Sequence, residues 1–143
     1  MLADRMIRYH IATQLAGGDR DVVFRYLYEE AYWSKGLPRD VFERAIDNSL
    51  SFVAYGEDEV AGYARVVTDK ATFAWLCDVF VLPLHRGNGV ARLLMDAVMG
   101  HPELQGLRNF MLATRDAHGL YEKYGFAPLA EPARWMAIRK PYR

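Results

Sequence analysis

The chain contains a single cysteine, Cys77, among its 143 residues. One thiol excludes an intrachain disulfide framework and any cysteine-rich zinc knuckle, and it fits a reducing compartment. Neither sign of charge is in excess: 18 Lys plus Arg against 18 Asp plus Glu leave a formal net charge of zero. Proteins held on nucleic acid or anionic lipid carry a basic surplus, because phosphate contacts supply much of their affinity. No stretch approaches the ~18 consecutive apolar residues of a membrane span. At the start of the chain, Asp4, Arg5, Arg8 and His10 interrupt any apolar core of the kind that directs secretion. These absences predict a soluble, cytoplasmic protein with no nucleic-acid, membrane or metal partner. Long linkers, low-complexity tracts and internal repeats are also missing.

What is present is a globular composition, 52% hydrophobic, 25% charged and 13% aromatic. At about 100–200 residues per domain the chain makes one domain, residues 1–143, large enough to bury a core unaided. In residues 6–12, Ile7, Tyr9 and Ile11 alternate with Arg8 and His10, the period of a half-buried strand. Asp19 or Asp21 is placed to cap a helix whose stripe is Val22, Val23, Tyr26 and Leu27, and Pro38 opens a second helix reaching about Asp47. Residues 50–55 and 60–69 read as strands joined by a hairpin turn over 56–59. The run 75–82, apolar apart from Asp78, suits a central strand covered on both faces, which Pro83 ends. A helix follows with Val90, Leu94, Ala97 and Val98 on one face and Gly100 as its stop. Residues 109–114 form a strand and 117–124 a short helix that Gly125 closes; Phe126 returns to the sheet, and 134–139 make a last strand. This order predicts an α/β fold, an α+β sandwich whose mixed central sheet is flanked by helices.

The chemistry concentrates at Arg86-Gly87-Asn88-Gly89-Val90-Ala91. A glycine-rich turn feeding a helix leaves amide hydrogens unpaired and aimed at one point, and the positive end of the helix dipole adds to them. Gly87 and Gly89 carry no side chain to keep a bulky anion off that backbone, and Arg86 offers a planar fork suited to phosphate. A diphosphate fits such a turn; the plainer alternative is a tight turn in which glycine only supplies positive φ. A dinucleotide fingerprint would need a third glycine where Arg92 stands, and no Walker-type Gly-Lys-Ser/Thr exists.

These residues resemble the GNAT superfamily of acyl-CoA-dependent N-acetyltransferases. The family's pyrophosphate motif Q/R-x-x-G-x-G/A is matched from Arg86 to Ala91, and its preceding D-x-x-V-x-P by Asp78, Val81 and Pro83. Its later L-Y-x-x-x-G-F is matched by Leu120, Tyr121, Gly125 and Phe126. The resemblance implies acetyl-CoA as co-substrate, with the backbone of Phe80 and Val81 holding the pantetheine arm where two parallel strands splay. The amides of Gly87, Asn88, Gly89, Val90 and Ala91 would then hold the pyrophosphate. Many members carry Asn where this chain has Thr114, so a hydroxyl would stand in for an amide there. A homodimer is common in the family.

Tyr121 occupies the position of the family's usual general acid, which would protonate the departing sulfur. A plain packed tyrosine is the alternative, although Tyr121 lies about 100° round the helix from Leu120, whose stripe continues at Tyr124. The backbone amide near Val81 is a candidate to polarise the thioester carbonyl. No general base is legible: Asp78, Glu29, Glu30, His118 and an exposed His85 are each candidates. Tyr32 and Trp33, between the first two helices, either line the acceptor pocket or anchor those helices. Cys77 reads as a buried, inert strand residue, and Met95, Met99 and Met111 as core filling. Arg139, Lys140 and Arg143 read as a solvated end, one of which could meet the cofactor's 3′-phosphate. The expected function is transfer of an acetyl group from acetyl-CoA to a primary amine of a small molecule or peptide, without a covalent acyl-enzyme; a catalytically weak acyl-CoA sensor is the alternative.

Overall fold

Alternating apolar residues in the middle of the chain produce an antiparallel meander, β2 (Leu50–Gly56), β3 (Glu59–Thr68) and β4 (Phe73–Val81). The short β1 (Tyr9–Ala12) adds antiparallel to β2, and β5 (Asn109–Leu112) adds parallel to β4, giving a five-stranded mixed sheet in the order β1-β2-β3-β4-β5. This computed structural model describes residues 6–15 and 17–142. Asp4, Arg5 and Arg143, considered above, lie outside those residues.

Period-two alternation sends the sheet's side chains to two cores. On one face Phe52, Ala64, Val66 and Leu76 pack against Val90, Leu94, Met95 and Val98 of α3 (Val90–Met99). On the other, Val53, Val60, Tyr63 and Phe80 pack with Val23 and Leu27 and with Phe42 and Ile46. Val23 belongs to α1 (Asp19–Arg25), and Phe42 and Ile46 to α2 (Arg39–Asp47). Each fully buried aliphatic or aromatic side chain contributes roughly 1.5–3 kcal/mol, so the two layers together hold the sheet. Gly62 sits where α3 crosses closest: a Cβ there would stand 2.9 Å from the Phe80 carbonyl and 3.1 Å from Val90. The last helix, α4 (His118–Glu122), ends at Gly125 (φ +96°) with bonds from Gly125 N–H to Glu122 C=O and from Phe126 N–H to Tyr121 C=O.

Four expectations are corrected. β3, not the run 75–82, is the central strand; β4 has a partner on its outer side only over Phe73–Leu76, so Cys77, Asp78 and Val79 stay half-buried. Neither Asp19 nor Asp21 caps α1: Asp19 accepts the Tyr55 hydroxyl proton and Asp21 pairs with Arg39. The first helix does not run on as an α-helix but widens into a π-turn over Tyr26–Glu30. The final strands do not form within one chain. Residues 126–142 hold only a 3₁₀ turn, Pro132–Arg134, because alternation makes a strand only where a neighbour supplies the other half of the ladder. Among the described residues no helix is long and apolar enough to cross a membrane.

Candidate active site

The site begins where two parallel strands part. β4 and β5 pair from Phe73↔Asn109 to Leu76↔Leu112 and no further, so the stretch from Cys77 to Val81 has no strand on that side. Against β3, the register passes from Arg65↔Cys77 to Tyr63↔Phe80, which sets Asp78 and Val79 opposite the lone Ala64. This is a β-bulge, and Asp78 takes the left-handed conformation there (φ +54°). Asp tolerates that region better than most side chains. The bulge re-aims the backbone of Asp78 and Val79 toward a cavity of about 330 Å³ whose lining includes Tyr32, Trp33, Cys77, Asp78, Thr114 and Tyr121.

Asp78 is fully engaged. Its Oδ1 accepts from Trp33 Nε1 at 2.9 Å and its Oδ2 from Arg65 Nε at 2.8 Å, while Arg65 also donates to Ser49 Oγ. The pair is mostly buried, with side-chain exposures of 17% and 14%, so each charge depends on the other. Asp78 therefore positions Trp33 rather than waiting as a free base. Cys77 lines the same cavity and is half-buried, against the expectation of full burial. Burial pushes its thiol up to about 12, outweighing the opposite pull of Arg65, so it holds its proton and is a poor nucleophile.

Tyr121 is 8% exposed and lines this cavity and a second one beside it. No hydrogen bond to its hydroxyl is found among the described residues. Burial raises its pKa first, and the charges of Asp116 and Tyr32 raise it further. A phenol of that kind keeps its proton at neutral pH and can only donate it. Leu120 and Tyr124 pack on the core as the stripe predicts, with Tyr124 donating to Asp96 at 3.0 Å. Thr114 Oγ1 accepts the Ala117 amide at 3.0 Å, which leaves its hydroxyl hydrogen and a second lone pair to offer a ligand. Tyr32 meets Trp33 edge to face, and the Arg115 guanidinium lies 3.8 Å over its ring centroid.

The glycine turn follows the C-terminal end of the same strand, a few residues beyond the bulge. Phe80, stacked on Tyr26 at 4.1 Å between ring centroids, and Val81 lead into Pro83 and the turn. Gly87 (φ +81°) and Gly89 (φ +78°) adopt the left-handed conformation, and a Cβ on either would project into open space. The glycines thus keep clear the approach to the amides of the first turn of α3. No side chain caps those amides and no acidic residue occupies that turn, so they can receive an anion. Asn88 turns inward, Nδ2 donating to the carbonyls of His85 and Arg86. Arg86 is exposed and braced, Nε to the Val81 carbonyl at 3.0 Å and one terminal nitrogen to Tyr26 Oη at 3.1 Å.

Other candidates disperse. Glu29 and Glu30 are solvated, and His118 lines only the neighbouring cavity. His85, expected exposed, is 2% exposed: Nδ1 meets Tyr9 Oη at 3.0 Å and Nε2 has no hydrogen-bond partner, with Glu59 at 3.8 Å. Sequence reasoning missed Arg65, Val79, Asp116 and Tyr26. No local motif marks them, because each gains its role from a partner distant in the chain. Among the described residues no cluster of three or more His, Cys, Asp or Glu could hold a metal ion.

Residues 8–126 match the Acetyltransferase (GNAT) family. A crystal structure from Xanthomonas campestris pv. campestris, of a protein provisionally assigned to the GNAT acetyltransferases, is 47% identical over 96% of both chains, with a TM-score of 0.90. A Gibberella zeae protein provisionally named an acetyltransferase is 32% identical over 64% of this chain; the match spans 63% of that curated relative. The aminoglycoside N-acetyltransferase AAC(6')-Iy, solved in complex with CoA, shares the fold at a TM-score of 0.63 and 22% identity, over 96% of this chain and 97% of its own.

Proposed function

The chain belongs to the acetyltransferase (GNAT) family, and on that premise we propose that it moves an acetyl group from acetyl-CoA to a primary amine by direct attack in a ternary complex. The observation that carries this reading is the open glycine turn: uncapped amides at the start of α3, free of acidic neighbours, in the space a Cβ on Gly87 or Gly89 would fill. The donor set fits a diphosphate. The amides of Gly87, Asn88, Gly89, Val90 and Ala91 would hold it, with Arg86 beside them. Phe80 and Val81 would hold the pantetheine arm along the unpaired edge of β4, and Thr114, just past the end of β5, would donate a hydrogen bond from its hydroxyl.

When bound, acetyl-CoA supplies the thioester carbonyl to which the amine adds and from which the thiol leaves. Tyr121 holds a proton in the cavity and gives it to the leaving sulfur. The backbone N–H of Val79, in the bulge and at the cavity wall, polarises the carbonyl. Tyr32 and Trp33 wall the acceptor side, and the Asp78 carboxylate locks the indole in place. Asp116, exposed at the cavity rim, draws a cationic amine inward and passes its surplus proton to solvent. Cys77, held as the thiol, stays out of the reaction and suits a cytoplasmic setting. The acceptor is a small-molecule or peptide amine.

The test follows free thiol released from acetyl-CoA over a panel of amines, with cofactor affinity measured by calorimetry. Wild type turns over with at least one amine, and Tyr121→Phe binds acetyl-CoA unchanged while slowing release about 100-fold, within the usual contribution of a general acid. Tight binding without turnover on every amine would instead assign an acyl-CoA sensor.

A further inference from the structure

The cavity of about 330 Å³ holds two opposite charges that the protein itself leaves unanswered. Of the charged groups in its lining, Asp78 is engaged by Arg65 and Trp33, which leaves Asp116 and Arg139. Both are exposed, and among the described residues neither side chain has an ion pair or a hydrogen bond. Asp116 lies just before α4, near enough to the Tyr121 phenol to help raise its pKa, and so marks the reacting end. Arg139 arrives from the last stretch of the chain. The Pro132–Arg134 turn, closed by Arg134 N–H to Glu131 C=O and Trp135 N–H to Pro132 C=O, precedes the segment that carries it to the cavity. Tyr142 Cβ, 3.9 Å from where a Cβ on Gly36 would stand, sets that segment beside the loop bearing Tyr32 and Trp33.

A second guanidinium stands at the same wall. Arg115 lies over the Tyr32 ring at 3.8 Å and, among the described residues, makes no ion pair. Stacking uses the flat face of a guanidinium and leaves its edge, where the N–H donors point, free for a planar anion. Between the charges the walls are aromatic and apolar, with Tyr32, Trp33, Trp75 and Val79 among them. The glycine turn contributes nothing to this lining, which sets Arg139 apart from the place of the diphosphate.

We infer that the acceptor is a free amino acid, its amine beside Asp116 and Tyr121 and its carboxylate on Arg139, with Arg115 as a second donor. The inference rests on the transferase reading above and narrows its acceptor. A plain monoamine would answer Asp116 and leave the guanidinium facing an uncharged body. A diamine would bring a second cation against it, a like-charge contact that costs affinity. An ammonium and a carboxylate on one molecule answer both ends, and the carboxylate can take the guanidinium fork in two parallel bonds. The aromatic walls suit an apolar or aromatic side chain on that amino acid. A residue inside a peptide lacks the carboxylate, since its carbonyl is tied into the next amide.

Matched pairs test this on the full chain. Phenylalanine against phenethylamine, and lysine against cadaverine, differ only by the carboxylate; phenylalaninamide keeps the body and caps the charge as a peptide does. Affinity is read by calorimetry in the presence of CoA, and kcat/KM by thiol release from acetyl-CoA. Each amino acid is expected to bind about tenfold or more tighter than its partner, with phenylalaninamide close to phenethylamine. Arg115→Gln combined with Arg139→Gln is expected to bring both preferences, in affinity and in kcat/KM, down about tenfold. Comparing the ratio between wild type and variant cancels any intrinsic difference in amine basicity. If no amine is turned over, the transferase reading fails, and the calorimetric comparison alone decides the carboxylate site. Equal affinity within each pair, phenylalaninamide binding as well as phenylalanine, or a preference that survives the double substitution would each overturn the inference.

Discussion

β4 bears two kinds of site, one at its bulge and one just past its C-terminal end. At its C-terminal end, the stretch from Pro83 to Ala91 is built by neighbours in sequence: two left-handed glycines, an asparagine bonded to carbonyls two and three residues back, and the uncapped start of a helix. At the bulge, the acceptor side is built by strangers: Trp33, Arg65, Asp78 and Ser49 are joined by hydrogen bonds that cross 13 to 45 positions of the chain. The first kind of site is fixed by backbone geometry and suits a ligand that never changes. The second can be altered one side chain at a time, and there a different acceptor can be fitted without disturbing the turn.

Substitutions can break that contrast or sharpen it. The largest effect is expected from Gly89→Val, which places a β-branched residue at φ +78° and fills the approach to the amides; acetyl-CoA affinity by calorimetry should fall at least 100-fold. Arg86→Glu should weaken the same affinity by more than tenfold, and an unchanged dissociation constant would mean that the arginine merely braces Val81 and Tyr26. Asp78→Asn should act on the other side only. It leaves the Arg65 guanidinium without its countercharge, costing on the order of 3 kcal/mol in denaturant unfolding, and raises KM for the amine severalfold while cofactor affinity holds. If cofactor affinity fell in parallel, the two sites would not be independent. The smallest effect is in pH dependence. Because burial raises the Tyr121 pKa, the acid stays protonated beyond the usual tyrosine range near 10, and turnover should decline only at still higher pH. Tyr121→Phe should remove that alkaline limb.

The same contrast explains what could be read from the chain. The left-handed glycine turn, the helix after it and the Tyr121 helix with its Gly125 stop are encoded locally and are legible residue by residue. The bulge was not: an extra residue inside 75–82 leaves no mark when aspartate rather than glycine takes the left-handed conformation. The burial of His85 was also hidden, since its cover comes from Tyr9 and Gly56. The alternation in 134–139 misled, because it makes a strand only where a sheet edge pairs with it, and none does among the described residues.

The contact between Tyr9 and His85 spans 76 positions and ties the outermost strand to the residue just before the glycine turn. β1 lines neither cavity, yet it acts as a latch on the loop that opens α3. A nick between β1 and α1, or a rival strand capping that margin of the sheet, would release the latch and loosen the glycine turn from the far side of the molecule.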